Sequence, residues 1–336
     1  MRRVTRIFGG VHHRKRVYAM SQPFLLSAKA RTLSLAEVLR LSDADAYATF
    51  KEIRWPEGLH CPHCGCVTIY EYRTRPIFKC KGCKAQFSVT TGTIFASRKL
   101  AHRDILAAIA IFANGAKGIS ALQLSRDLNV QAKTAYVLLH KLREAIGAPM
   151  RDATLAGHVE VDGGYFGGYV RPENRKEDRK DRRFKVNQSG KRKVVVVMRE
   201  RDGKTLPFVF GAEDESLSTI HARVQTGSTI YADEAPGWDG LHARYAAKRV
   251  NHSVAFMDDG VCTNQAESYF SRLRRMEIGT HHHISGRYLQ AYANEAAWRE
   301  DHRRQANGTQ YALIAKAALA HPVSQAWKGY WQRATA

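Results

Sequence analysis

The sequence predicts a mixed α/β domain preceded by two small modules, a zinc ribbon and a helix-turn-helix. Three observations predict it. Two Cys-x-x-Cys pairs, Cys61-Pro-His-Cys64 and Cys80-Lys-Gly-Cys83, stand fifteen residues apart, as in a four-thiolate zinc site. Residues 119–143 carry the apolar spacing of two helices around a short turn at Leu128, Asn129 and Val130. Beyond Gly147-Ala-Pro149 the texture changes to three strands in succession, then strand and helix in alternation. That pattern fits a mixed sheet with helices on its faces.

Composition narrows the partners. The chain has 336 residues, with 53 Lys and Arg against 31 Asp and Glu, a formal charge of +22. So large an excess points to a polyanion, most simply nucleic acid. Its spread over several elements suggests a long contact track. No apolar run reaches the roughly 18 residues of a membrane span. Residues 1–20 are basic without an apolar centre, so they are expected to be a disordered arm rather than a secretory signal. Five of six cysteines fall between positions 61 and 83, which suggests a metal cluster in a reducing cytoplasm.

The elements follow in order. Residues 33–54 should form short packing helices, with Ser34 and Glu37 at capping-box spacing. Residues 55–97 should form the ribbon, its third strand running from Phe87 through Thr93. Four thiolates close the zinc shell, so the metal would be structural, with Cys66 and His63 as bystanders. Residues 101–147 hold an apolar helix and the helix-turn-helix. There Gln131, Lys133, Thr134 and Tyr136 sit where a recognition helix presents side chains to DNA.

Residues 155–300 form the expected α/β domain. Its first strand, 157–164, alternates Val159 and Val161 with Glu160 and Asp162. Asp162 should close that strand, before a glycine turn at Gly163 and Gly164. Further strands are expected at 193–198, 206–210, 228–233 and 248–257, with Asp202-Gly203 as a hairpin turn and Asp233 ending the fourth strand. The basic segment 171–193 reads as a connection beside the site. If the first and fourth strands are neighbours, Asp162 and Asp233 stand side by side. A helix over 264–276 adds Asn264, Glu267, Ser271 and Arg274 at intervals that share a face. His252 is expected to pack, the run His281 to His283 to be solvated or near phosphate, and residues 301–336 to be a helical tail with Trp327, Tyr330 and Trp331.

Converging acids need a cation between them, and hard oxygen ligands select Mg²⁺ or Mn²⁺. Two ions roughly 3.5–4 Å apart would serve an in-line displacement at phosphorus. Asp162 would bridge them, Asp233 and Glu267 would each hold one, and Arg274 or Arg275 would grip a phosphate.

These motifs, together with Val159-Glu-Val-Asp162, Tyr231-Ala-Asp-Glu234, Asn264-Gln-Ala-Glu267-Ser268 and Leu273-Arg-Arg275, resemble the DDE-type insertion-sequence transposases with an N-terminal zinc ribbon and a ribonuclease-H-like, ISXO-type core. The resemblance covers roughly residues 35–300. It implies a bacterial cytoplasmic, nucleoid-associated enzyme that cuts double-stranded DNA at element ends and joins it to a target, assembled as a homo-oligomer on paired ends. The family's Asp, Asp and Asn/Glu positions fall on Asp162, Asp233 and Asn264 or Glu267. Of the last two, the carboxylate is the better ligand for a hard cation. The chain departs from the family in Gly163 where an acid is usual, Phe270 where Trp is usual, and Arg274 where Lys is usual. Two other readings are a DNA-binding regulator without catalysis and a nuclease or resolvase that hydrolyses without joining.

Overall fold

The computed structural model describes residues 23–168, 173–181, 185–187, 189–201, 203–234, 236–250 and 262–330. The basic arm, Asp202 of the hairpin turn, parts of the basic segment, His252 with the strand residues 251–257, and Trp331 lie outside the described residues.

Serine caps start the first two helices. Ser34 Oγ accepts from Glu37 N before α1 (Leu35–Arg40), and Ser42 Oγ accepts from Asp45 N before α2 (Asp43–Arg54). These bonds satisfy backbone donors that a helix N-terminus leaves over. The ribbon is an antiparallel sheet of β1 (Ile69–Glu71), β2 (Phe78–Cys80) and β3 (Gln86–Phe87). Trp55 meets the rings of Phe78 and Phe87 edge-on. The third strand stops at Phe87, short of the expected Thr93. Ser88 N donates to Thr91 Oγ1 at 2.8 Å, and Thr93 Oγ1 to Thr90 O at 2.8 Å. Local side-chain bonds of this kind compete with a sheet ladder.

Next come α3 (His102–Asn114), α4 (Ala121–Asp127) and α5 (Ala132–Gly147). Asn129, in the turn between α4 and α5, has φ 50°, a left-handed conformation that Asn tolerates. The C-terminal helix α9 (Asn307–Ala320) packs on this body. Its Ile314, Ala315, Ala318 and Leu319 complete the core of α3 and α5.

The main sheet has β4 (His158–Phe166), β5 (Lys193–Glu200), β6 (Thr205–Phe210), β7 (Thr229–Asp233) and β8 (Ala246–Val250), in the order β6-β5-β4-β7-β8. β4 runs antiparallel to β5 and parallel to β7. This is the mixed, ribonuclease-H-like arrangement the sequence predicts. One face packs on α6 (Leu217–Arg223) and Trp238, the other on α7 (Asn264–Met276) and α8 (Leu289–Asp301). Both faces of β4 and β5 are therefore covered, which explains the unbroken valine run at 194–197.

A buried ion-pair group ties α5 to α8. Glu295 is wholly buried, Arg143 Nε donates to it at 2.6 Å, and Arg299 Nε at 2.9 Å. Burial would raise the Glu295 carboxyl, but the two guanidiniums outweigh burial and hold it at about 2. A carboxyl depressed on folding stabilises the fold above its unfolded value and loses that contribution as pH falls through the folded one. Glu295→Gln should therefore lower unfolding stability at pH 7 by about 3–5 kcal/mol. The gap from the parent should narrow as pH falls from about 4.5 to about 2, as measured by urea unfolding.

Candidate active site

The site is built on a carboxylate the sequence reading left without a role. Glu160 is wholly buried on β4. Its Oε2 accepts from the backbone N–H groups of Gln265 at 2.9 Å and Ala266 at 3.0 Å, in the first turn of α7. Thr263, at the N-cap position of α7, makes no side-chain cap, so a strand residue caps the helix. A negative charge there also meets the positive end of the helix dipole. Arg201 Nε binds Glu160 Oε1 at 3.0 Å, and its guanidinium lies 3.9 Å from the centre of the Tyr231 ring on β7. Glu160 thus couples β4 to α7, with β7 alongside.

The parallel pairing sets the two aspartates level. Glu160 pairs with Tyr231 in the last register step between β4 and β7. Asp162 and Asp233 each stand two residues further on, beyond the last paired step. Asp233 Oδ1 accepts from Trp238 Nε1 at 2.6 Å, and Asp162 Oδ1 from Gly163 N at 2.7 Å.

Asp162 does not close its strand, and the glycines do not break it. β4 stays paired with β5 through Phe166. The glycines make room for other side chains instead. A Cβ on Gly164 would strike the Phe270 ring of α7, and one on Gly163 would lie 2.5 Å from Glu213 Oε1. Glu213 precedes α6 and went unnoticed in the sequence, where Gly-Ala-Glu-Asp-Glu-Ser looks like a polar turn. Burial first, then the Asp233 carboxylate, push the Glu213 carboxyl up. Tyr165 bonds to it through its side chain.

On α7, Glu267 and Arg274 are seven residues apart, and Phe270 lies between them on the same flank. The Arg274 guanidinium sits 5.8 Å from the Phe270 ring centre. Asn264, Glu267 and Ser271 also border a cleft with Lys117, Arg272, Arg275 and Arg303. Arg275 donates to Ser271 Oγ at 2.7 Å. The donor set of Asp162, Asp233, Glu267 and Asn264 is all oxygen, which fits a hard divalent cation.

Among the described residues, only Cys61, Cys64, Cys80 and Cys83 bring three or more ligand atoms within 4.8 Å of one another. The three carboxylates do not form such a set. The Sγ atoms of Cys61 and Cys83 are 3.7 Å apart, and those of Cys64 and Cys80 3.5 Å. A tetrahedron with Zn–S bonds of about 2.3 Å has edges of about 3.8 Å, so four thiolates here fit structural zinc. Cys66 lies outside this set and its thiol turns to Thr68 O at 3.8 Å.

In the helix-turn-helix, Gln131, Lys133 and Thr134 line a groove with Arg98, Lys99 and Lys141. Tyr136, half-buried, is not among the residues lining this groove. Its ring packs 4.5 Å from His140 and 5.8 Å from Trp327 of the C-terminal segment, because the α5 face bearing it is covered by that segment. His281 also differs from expectation. It packs 4.6 Å from the Tyr292 ring, and burial first, then Arg143, hold its pKa down at about 4.

A mixed five-stranded sheet thus follows a four-cysteine ribbon. Residues 154–301 match the ISXO2-like transposase domain, and residues 41–86 the transposase zinc-ribbon domain. The chain thus carries a transposase zinc-ribbon match ahead of an ISXO2-like transposase domain match. It is 26% identical over 265 residues to an uncharacterised protein in the transposable element ISH50 of Halobacterium salinarum, covering 75% of this chain and 88% of that one. It also has a slight likeness to the crystal structure of the Mos1 strand transfer complex. There the TM-score is 0.24 and the identity 13%, over 63% of this chain and 78% of that one. No helix among the described residues is long and apolar enough to cross a membrane.

The purified chain should carry one zinc ion by plasma mass spectrometry. Cys80→Ser should release it and lower the melting temperature, whereas Cys66→Ser should retain the metal. Zinc loss from Cys66→Ser would show that the ligand set is drawn wrongly.

Proposed function

We propose that the chain cleaves DNA at the ends of an insertion sequence and transfers the cut strand into target DNA. Asp162, Asp233 and Glu267 hold Mg²⁺ or Mn²⁺, with Asn264 beside Glu267 on α7. When bound, the metal activates a water or 3′-hydroxyl and neutralises charge building on the phosphate. The protein's own part is placement. Glu160 fixes the first turn of α7 against β4, and Trp238 orients the Asp233 carboxylate. Arg274 and Arg275 present planar forks to phosphate oxygens, and Lys117, Arg272 and Arg303 offset the charge of the backbone that follows. Gln131, Lys133 and Thr134 contact the element ends, and a homo-oligomer in the cytoplasm holds two ends together.

The observation carrying this reading is the parallel pairing of Glu160 with Tyr231, two residues before Asp162 and Asp233 on adjacent strands, with Glu160 capping α7. The matched transposase domain supports it.

The test is cleavage and joining of labelled DNA bearing the element's ends, in Mg²⁺. Asp233→Asn should cut slower by on the order of 10²–10³-fold, as for loss of one charge-stabilising group, while binding the same DNA equally well. Undiminished cutting by the variant would remove Asp233 from the site. Binding without cutting by the parent chain would favour a regulator, and cutting without a joined product a plain nuclease.

A further inference from the structure

We infer that the cavity between α5, α8, the edge strand β6 and the C-terminal segment binds an unpaired nucleotide, its base against the Trp327 ring and its phosphate at the start of α8. The inference is independent of the cation site and concerns a cavity with no part in it.

The cavity holds about 540 Å³, within the about 300–1,000 Å³ of small-molecule sites. Its lining is rich in rings. Trp327 is stacked on His140, with centres 4.4 Å apart and planes at 27°, and on Tyr288 at 5.9 Å and 29°. Tyr330 lies 4.8 Å from Trp327, and its hydroxyl meets that of Tyr288. Trp327, Tyr288 and Tyr330 are only half-buried, so ring surface remains for a planar guest. Phe208 of β6 adds to the apolar lining.

Two buried side chains of the lining carry polar atoms without partners. His140 and Arg143 are each 1% exposed. Neither ring nitrogen of His140, nor Arg143 Nη2, has a hydrogen-bond partner among the described residues. Burial first, then Arg143, hold the His140 pKa down at about 3, so the neutral ring offers one donor and one acceptor. Buried groups left unmet in this way are costly. The edge of a base carries both donors and acceptors and answers them. Water would answer them too, but would gain nothing from the ring faces alongside.

The exposed part of the lining is positive. Arg151 and Arg287 are both exposed there, and neither guanidinium is in an ion pair among the described residues. Arg287 directly precedes Tyr288, the N-cap residue of α8, where no side chain caps the helix and no acid stands in the first turn. Unmet N–H groups and the helix dipole favour an anion at such an end. The single acid of the lining, Glu144, is taken up by Ser324 Oγ at 2.6 Å. Ring faces beside cationic forks are the means by which nucleotides are held outside a duplex.

The test is photocrosslinking of the full zinc-loaded chain, without divalent cation, to a duplex carrying one unpaired 5-iododeoxyuridine, with the attachment point mapped by mass spectrometry. Attachment at Trp327, Tyr288 or Tyr330 is the expected result. The same experiment with 5-iododeoxyuridine monophosphate separates the two sources of the ligand. Labelling of these rings by the duplex alone assigns the cavity to a DNA strand, by the mononucleotide alone to a free nucleotide, and by neither overturns the inference. Trp327→Ala should lower the affinity read from the concentration dependence of labelling by about ten-fold or more, the scale of one lost base stack, and Trp327→Phe should return it to within about three-fold. Arg287→Ala, at an exposed position, should lower it by about ten-fold, the scale of one charge-assisted phosphate contact. Unchanged affinity in both Trp327→Ala and Arg287→Ala overturns the inference even where the rings are labelled.

Discussion

The arrangement depends on one buried carboxylate. Glu160 has no exposure to water, and an ionised carboxylate in that position must be fully paired. It is paired three ways, to Arg201 and to two backbone amides of α7. Those bonds set where α7 begins relative to β4, and so where Asn264 and Glu267 stand relative to Asp162. The helix supplies no cap of its own. Without Glu160, the backbone of the first turn of α7 would lose both of these bonds, leaving the Arg199–Gln265 side-chain bond and the apolar packing of Ala266, Tyr269, Phe270 and Leu273 to position it.

The glycine pair after Asp162 has a related logic. In the folded chain, each glycine is the point where a side chain from another layer crosses β4, Phe270 from one face and Glu213 from the other. Phe270, the second departure, fits the space that Gly164 leaves.

Much of this was legible in residues 157–168 and 228–233. Alternation put Glu160 and Asp162 on one face, while the pairing of the first and fourth strands, left conditional in the sequence, is supplied by the structure. The cysteine spacing determined the ribbon, because each Cys-x-x-Cys turn allows only one way of pointing two thiolates at an ion. What escaped was long-range. Glycines in a strand look like a turn until the side chains that need their space are known. Tyr136 has the spacing of a groove-reading residue, but Trp327, nearly two hundred positions on, covers it. Glu295 and Arg299 appeared as an ordinary helical pair, although Arg143 makes them a buried tie between α5 and α8. Local periodicity cannot reveal partners supplied by remote segments.

The central claim is that β4 and β7 present one cation site, with α7 held over it by Glu160. Anomalous diffraction at the manganese edge, on crystals of the full chain bound to element-end DNA, tests it most directly. The account predicts manganese in contact with both Asp162 and Asp233, with Glu160 still bonded to the first turn of α7. Manganese bound away from both aspartates would contradict it.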